Sequence, residues 1–454
     1  MRLPADAPPP QRFYPVAGAV IVLAAVAAVT VLVGIGSYNE QIYAVVLALA
    51  IAAGFPLIRR AVRIEPGITK GLLWAALLLK IAGSALRYVV LQHVYHGVGD
   101  ATGYHAAGVH TYHLVRHFDF HFIQPPYVDT NSIRYLTGFV YAVIGPSMLA
   151  GFLLFSLACL LGQWWFYRAF TTAFPDGNRK LYGYLIFLLP SLLFWPSSIG
   201  KDAMMVFGLG LAMYGLARAL QQLSVRSVLA FALGLTVVTF VRPPIGAIVV
   251  AGAGIAFVLR PSRMKGGVGR ALAWTLGMPV VVLLATFMFL LAAHWLKVEG
   301  AADPIQKYEF AREGLNKGGS AFQAPSLSSP VGAVEAVATA LFRPFPWEIS
   351  NPLVAVAGME GLVLMGIFVV KIRSVARTLI SWRNGMAIAV TVITVLLTVV
   401  MIGFTNFGLL VRQRTSLLPF LLMLPTAMDH ARKEQRAGDA STADIRRGEP
   451  VPAG

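Results

Sequence analysis

The sequence predicts an all-α integral membrane protein of about twelve transmembrane helices, and three observations carry that prediction. Hydrophobic residues make up 57% of the 454 residues and charged residues only 13%, with a mean hydropathy of +0.70. A soluble domain carries about 25% charged residues, so a chain this poor in charge needs lipid to solvate much of its surface. Apolar stretches near the ~20 residues that a membrane helix requires recur along its length. Lysines and arginines gather in alternate short connections, the pattern that sets membrane orientation.

The spans fall at about 16–36, 41–58, 71–92, 147–168, 181–198, 203–221, 226–241, 245–260, 271–294, 352–371, 385–404 and 410–428. The first stretch, about 17–35, lacks a small-residue cleavage site followed by a soluble domain and reads as a retained span. One set of connections holds Arg59, Arg60, Arg63 and Lys70, then Arg168, Arg179 and Lys180, then Arg218 and Arg226. It continues with Arg260, Arg263, Lys265 and Arg270, then Lys371, Arg373, Arg377 and Arg383, and the tail adds five more. Threading twelve spans places all of these, and both termini, on one side, which the positive-inside rule assigns to the cytoplasm. The net charge of +17 therefore reads as topology, with no nucleic-acid partner.

Residues 133–144 are apolar but too short to span, and counting them as a span would turn every later basic loop outward. They are expected to form a helix on the outer surface. Two long outer loops remain, 93–146 and 295–351. The domain reading is one polytopic unit over 1–428 and a disordered cytoplasmic tail over 429–454, polar and rich in small residues. No internal repeat is visible. Cys159, the only cysteine, rules out an intrachain disulfide and suits a packing role.

The outer face collects the chemistry. Asp100 follows Gly97 and Gly99 and leads into a short amphipathic helix, where it suits a general base or a helix cap. Seven of the nine histidines lie between His93 and His121. His110, His113, His117 and His121 recur at helical spacing, which fits a polar interfacial helix better than a metal site. Lys201 and Asp202 stand together at the start of an apolar helix, as an ion pair and cap or as a phosphate contact and its assistant. Arg242 is the lone charge of TFVRPPIGA, a snorkelling arginine or a ligand contact. Arg412 and Arg414 fall inside an apolar helix, where charge is costly, and are expected to face a polar cavity. Lys80 and Arg87, seven apart, share a face of the third span, with Lys80 deep enough to need a carboxylate partner elsewhere. In the second long loop a polar stretch, KYEFAREGLNKGGSAFQAPSLSSP, could form a lid. LFRPFPWEISN then frames Phe345 and Trp347 with Arg343 and Glu348, which suits a sugar or an interfacial aromatic belt. Topology places all these outer residues at one depth, and fixed cations with a few carboxylates beside an apolar groove suit a lipid phosphate.

GDATGYH in the first outer loop resembles the aspartate-bearing first loop of the GT-C fold membrane glycosyltransferases. FLLPSLLFWPSSIGKDAMMVFGLGLAMYGLAR resembles the proline-then-aspartate helix pair of that superfamily, and RPPIG, FRPFPWE and the RQR turn fit the same group. The similarity runs over about residues 95–425, and the chain looks similar to bacterial polytopic proteins of cell-surface polysaccharide synthesis. It implies a GT-C-like bundle with juxtamembrane helices in the first outer loop. It also implies a polyprenyl-phosphate-linked sugar donor, a glycan or lipid acceptor, and transfer at the extracytoplasmic face of the plasma membrane. Asp100 would be the base with Asp202 assisting. Tyr104, His105, Arg87, Lys201, Arg242, Arg343, Glu348, Arg412 and Arg414 would contact substrate. Many such enzymes pair two acids in this loop, whereas Ala101 follows Asp100 here, which leaves a divalent cation open as a cofactor. Two rivals stand beside this: a polymerase or ligase of lipid-linked oligosaccharides, and a lipid or solute transporter.

Overall fold

The computed structural model describes residues 37–65, 67–259, 320–323, 325 and 329–429. The expected spans at 16–36 and 271–294, most of the polar stretch of the second outer loop, and the tail beyond Asp429 lie outside these residues. Among the described residues the fold is helical, with a single isolated β-bridge between Ala321 and Asn406.

Six of the described helices are long and apolar enough to cross a membrane. They are α1 (Tyr38–Ile64), α2 (Lys70–Val89, continued by a π-helical turn Val90–Val94), α5 (Met148–Ala173), α8 (Lys201–Gln221), α12 (Pro352–Val370) and α14 (Gly385–Ile402). The pair α15 (Phe407–Arg414) and Leu418–Ala427 makes a seventh if counted as one span bent by 61°. The last stretch divides into α16 (Leu418–Leu421) and α17 (Leu424–Ala427), each with a proline in its first turn. The expected spans at 226–241 and 245–260 are α9 (Val225–Val241) and α10 (Pro243–Leu259), apolar helices of 17 residues each. Pro243 separates them, since its ring cannot continue a helix.

Two ends are defined by contacts. Ser147, which caps α5, also donates to the carbonyl of Asn39 at the start of α1 (2.9 Å). At the other end of the same two helices Arg168 pairs with Glu65 (2.7 Å). α8 begins beside Ile199, which packs against Gly151 near the start of α5, and finishes where Gln221 reaches the carbonyl of Thr172. So α1, α5 and α8 run the same way, and α2 and the segment 179–200 must run back. The latter is the expected span at 181–198, and it is broken: α6 (Arg179–Leu188) stops at Leu189 and α7 (Pro190–Phe194) begins with proline. Asn384, capping α14, donates to the carbonyl of Ala173 (3.1 Å), and Lys371 and Asn178 both reach Asp429 (2.9 and 3.1 Å). These contacts gather Arg168, Arg179, Lys371 and Arg377 at one end, the basic end, where Arg377 holds the carbonyl of Met428. The opposite end carries α3 (Asp100–Arg116) and α4 (Thr130–Ile144).

α4 contains the segment expected to lie on the surface, and it packs against α3. The hydroxyl of Thr111 sits over Gly138, and Thr137 and Tyr141 sit over Gly108, contacts that only a missing Cβ permits. The second outer loop holds a helix that the sequence reading treated as loop, α11 (Pro330–Phe342), capped by Ser329. α13 (Ile372–Leu379) follows α12 at the basic end.

The core is α5 against α8 against α9. A Cβ on Gly210 would fall 2.1 Å from the carbonyl of Gly162, and one on Gly234 2.3 Å from the amide of Ala212. Small residues let membrane helices approach this closely, where dispersion replaces the hydrophobic effect as the packing force.

The break at Pro190 explains the deep charges. Lys80, fully buried in α2, donates to the carbonyl of Leu192 (2.6 Å) and stands 3.2 Å from the Cys159 sulfur. Glu360, in the middle of α12, accepts the amide of Ser191 at 2.6 Å. A broken helix in a membrane frees backbone groups that need new partners, and these two side chains supply them. The carboxylate partner expected for Lys80 is therefore a backbone carbonyl instead.

Candidate functional site

The site forms at the end opposite the basic one, where six separated segments meet. Asp100 opens α3 after a turn in which His96 (φ 49°) and Gly97 (φ 76°) take the left-handed conformation. Thr102 locks that turn by donating to the carbonyl of Gly97 (2.6 Å). Asp202 is in the first turn of α8 and is buried. Arg412 comes from the last turn of α15 and joins the two acids. Its Nη1 donates to Asp100 (2.8 Å) and its Nε to Asp202 (2.5 Å). Arg242, from the turn between α9 and α10, donates to the other oxygen of Asp202 at 3.4 Å. The two aspartates differ in access: the Asp100 side chain is 58% exposed and that of Asp202 5%. Asp202 is the anchor of two arginines, and Asp100 is the acid that faces out.

Lys201 does not pair with its neighbour. It pairs with Asp129 at 2.6 Å. Asp129 is a residue the sequence reading missed, although its place just before the surface helix marks it as a cap position. It holds positive φ (61°), and its amide donates to the carbonyl of Phe240 (2.7 Å), tying the start of α4 to the end of α9.

Arg87, near the end of α2, completes the cluster. Its guanidinium lies 5.1 Å from the rings of Phe194 and Trp195 and 5.9 Å from that of Tyr95. Such cation–π contacts partly offset the loss of water around a cation. Its Nε and Nη1 are buried and have no hydrogen-bond partner among the described residues. Arg87, Asp100 and Arg412 line one cleft of about 280 Å³, whose other walls include Leu91, Phe152 and Trp195. The cluster carries four cations, Arg87, Lys201, Arg242 and Arg412, against three carboxylates, Asp100, Asp129 and Asp202.

Burial pushes the Asp100 carboxyl up, but the charge and hydrogen bond of Arg412, with Lys201 and Arg242 beyond, outweigh it and hold the group below the usual carboxylate range. In this arrangement Asp100 is ionised and a weakened base. Tyr104, one turn on, is buried; burial and then Asp100 push its hydroxyl up to about 12, so it stays a proton donor.

The remaining expected contacts lie elsewhere. His105 hydrogen-bonds the hydroxyl of Tyr141 (2.8 Å) and fastens α3 to α4, and burial lowers its pKa. Arg343 and Glu348 pair with each other, Glu348 also accepts the amide of Phe345 (2.9 Å), and Arg343 lies 4.5 Å over the Phe322 ring. Arg414 is only 2% exposed and donates to the backbone carbonyl of Arg343. These three form a knot beside the cleft rather than part of its lining. The Phe345 and Trp347 rings stack at 4.9 Å with Trp347 80% exposed. The histidines at 110, 113, 117 and 121 do not converge: α3 ends at Arg116, His121 pairs with Asp119, and no described group of three or more His, Cys, Asp or Glu residues could hold a metal. Compared with protein-family models, with curated proteins and with solved structures, the chain matches none.

Proposed function

We propose that this protein is a membrane glycosyltransferase that takes a sugar from a polyprenyl-phosphate-linked donor and passes it to an acceptor hydroxyl at the extracytoplasmic face of a bacterial plasma membrane. The observation that carries the reading is the bridge by Arg412 between Asp100 and Asp202 at the mouth of a cleft that is shared with Arg87 and has an apolar wall of Leu91, Phe152 and Ile199. The positive-inside rule puts the basic end in the cytoplasm and so puts the cleft outside.

The donor phosphate would lie on Arg87 and Arg412, whose forked guanidinia suit phosphate oxygens. The prenyl chain would lie along the apolar wall and the sugar at the open mouth. Asp100 accepts the proton of the acceptor hydroxyl as that oxygen bonds to the anomeric carbon. The bond from that carbon to the phosphate oxygen breaks, its electrons remain on the phosphate, and the two arginines stabilise the charge. Asp202 and Arg242 hold Arg412 in place. An arginine cluster tied at one end speaks for a reaction site rather than a transport path, since the deep charges Lys80, Glu360 and Arg414 each bond a backbone group.

The test is transfer by the purified protein in vesicles from a short-chain prenyl-phosphate sugar. Single-sugar transfer that Asp100→Asn abolishes, with the variant still inserted and folded, is the expected result. Transfer of preassembled oligosaccharide blocks would favour a polymerase or ligase, and normal turnover by the variant would remove Asp100 as base.

A further inference from the structure

Two arginines face one small cleft, and three facts about them do not fit a fully compensated ion cluster. Arg87 has two buried N–H groups with no partner among the described residues. A buried donor without a partner calls for an explanation, and a bound anion is one. Arg412 is held twice, by Asp202 and by Asp100, so it can release one acid and remain anchored by the other. Asp202 is buried and held by Arg242 as well, whereas among the described residues the exposed Asp100 carboxylate pairs with Arg412 alone. The weaker, wetter half of the bridge is therefore the half at the cleft.

We infer that Asp100 is the resident counter-ion of a phosphate subsite between Arg87 and Arg412, and that an incoming phosphate displaces it from Arg412. This rests on the phosphate-binding part of the reading above and not on sugar transfer. The phosphate oxygens take over the Nη1 donor that Asp100 held and the two Arg87 donors that have none. Arg412 keeps its Nε bond to Asp202 throughout, so its guanidinium is never left without a counter-ion during the exchange. Asp100, relieved of Arg412 and placed beside a new anion, regains the basicity that the arginine had removed, because an adjacent cation favours its charged form and an adjacent anion disfavours it. The base is thus muted in the empty cleft and restored when the donor phosphate is seated.

The sign of one measurement separates this from the alternatives. Full-length protein in detergent micelles, with chelator present, is titrated calorimetrically with inorganic pyrophosphate, and protein in neutral-lipid vesicles with farnesyl phosphate. Removing a competing carboxylate from a half-exposed arginine pair should tighten binding of both probes to Asp100→Asn by about fivefold, the upper range for an exposed ion pair. Arg87→Gln should weaken both by about tenfold or more, the scale of losing a charge-assisted hydrogen bond. Tighter binding of farnesyl phosphate than of pyrophosphate assigns the natural ligand to a lipid, and the reverse order to a free phosphate; in both cases the Asp100→Asn increase is required. Equal or weaker binding by Asp100→Asn overturns the inference, as does weaker binding only when magnesium is added, which would make Asp100 a cation ligand. If the expected shifts occur but no sugar is transferred from any donor, the transferase reading falls and this subsite stands.

Discussion

Two groups of charges sit in this apolar molecule, and they are built to opposite rules. The deep group, Lys80, Glu360 and Arg414, is tied to the backbone: each side chain is buried and bonded to a backbone group, at the carbonyl of Leu192, the amide of Ser191 and the carbonyl of Arg343, and only the Arg414 Nε is left without a hydrogen-bond partner among the described residues. The cleft group, Arg87, Asp100, Asp202, Arg242 and Arg412, is open: charge bonds to charge, one acid faces water, and one arginine has donors to spare. An ionisable residue at membrane depth is a functional hypothesis by default, and the comparison shows what decides it. A charge whose partner is a backbone group freed by a broken helix holds the fold. A charge whose partner is another side chain at an open cleft can exchange that partner for a ligand.

The sharpest break between the groups should appear with Asp100→Asn. Loss of a general base lowers transfer by about 10²- to 10⁴-fold, while the melting temperature in detergent stays at that of the parent, because the carboxylate is half-exposed. A comparable loss of melting temperature would move Asp100 into the fold-holding group. Next in size is Glu360→Leu, which leaves the buried Ser191 amide without its acceptor. An unsatisfied buried donor costs about 1–3 kcal/mol, read as a lower melting temperature, with anion binding retained at low temperature. An unchanged melting temperature would mean that the broken helix is held by something else.

The smallest effect concerns His105, which belongs to neither group. Burial lowers its pKa from 6.5, so the unfolded chain binds its proton more readily than the folded one. Its contribution to stability is therefore complete above that value and declines as pH falls through it toward the depressed folded value. The effect is well under about 1 kcal/mol for one partly exposed group. It should be seen as a slight loosening of α3 from α4 between pH 7 and 5 in hydrogen exchange, absent in His105→Gln.

What the sequence made legible was what depends on local pattern. Apolar stretches marked most of the long helices, and the short apolar run at 133–144 is the greater part of α4. The basic residues sorted the described connections to one end, and Asp100, Lys201, Asp202, Arg242 and Arg412 were each visible as charges at the other. Partner choice was not legible. Arg412 meets Asp100 across 312 positions and Glu360 meets Ser191 across 169, and no periodicity encodes such pairings. Lys201 and Asp202, adjacent in sequence, point from the start of one helix to different partners. Pro190 was in plain view, yet an apolar run on both sides hid the break that makes it matter, and with it the role of Lys80. α11 was missed because its 13 residues are too few to span and its surroundings are polar.

Arg412 and Arg414 give the most direct test, since they are two residues apart on one short helix and fall in different groups. The measurement is melting temperature together with pyrophosphate binding for Arg412→Gln and Arg414→Gln. Arg412→Gln should lose most of the binding, with some loss of melting temperature because the buried Asp202 then keeps only Arg242, whereas Arg414→Gln should lose melting temperature and, where still folded, bind as the parent does. Full stability with lost binding in Arg414→Gln, or full binding in Arg412→Gln, would contradict the division on which the functional reading stands.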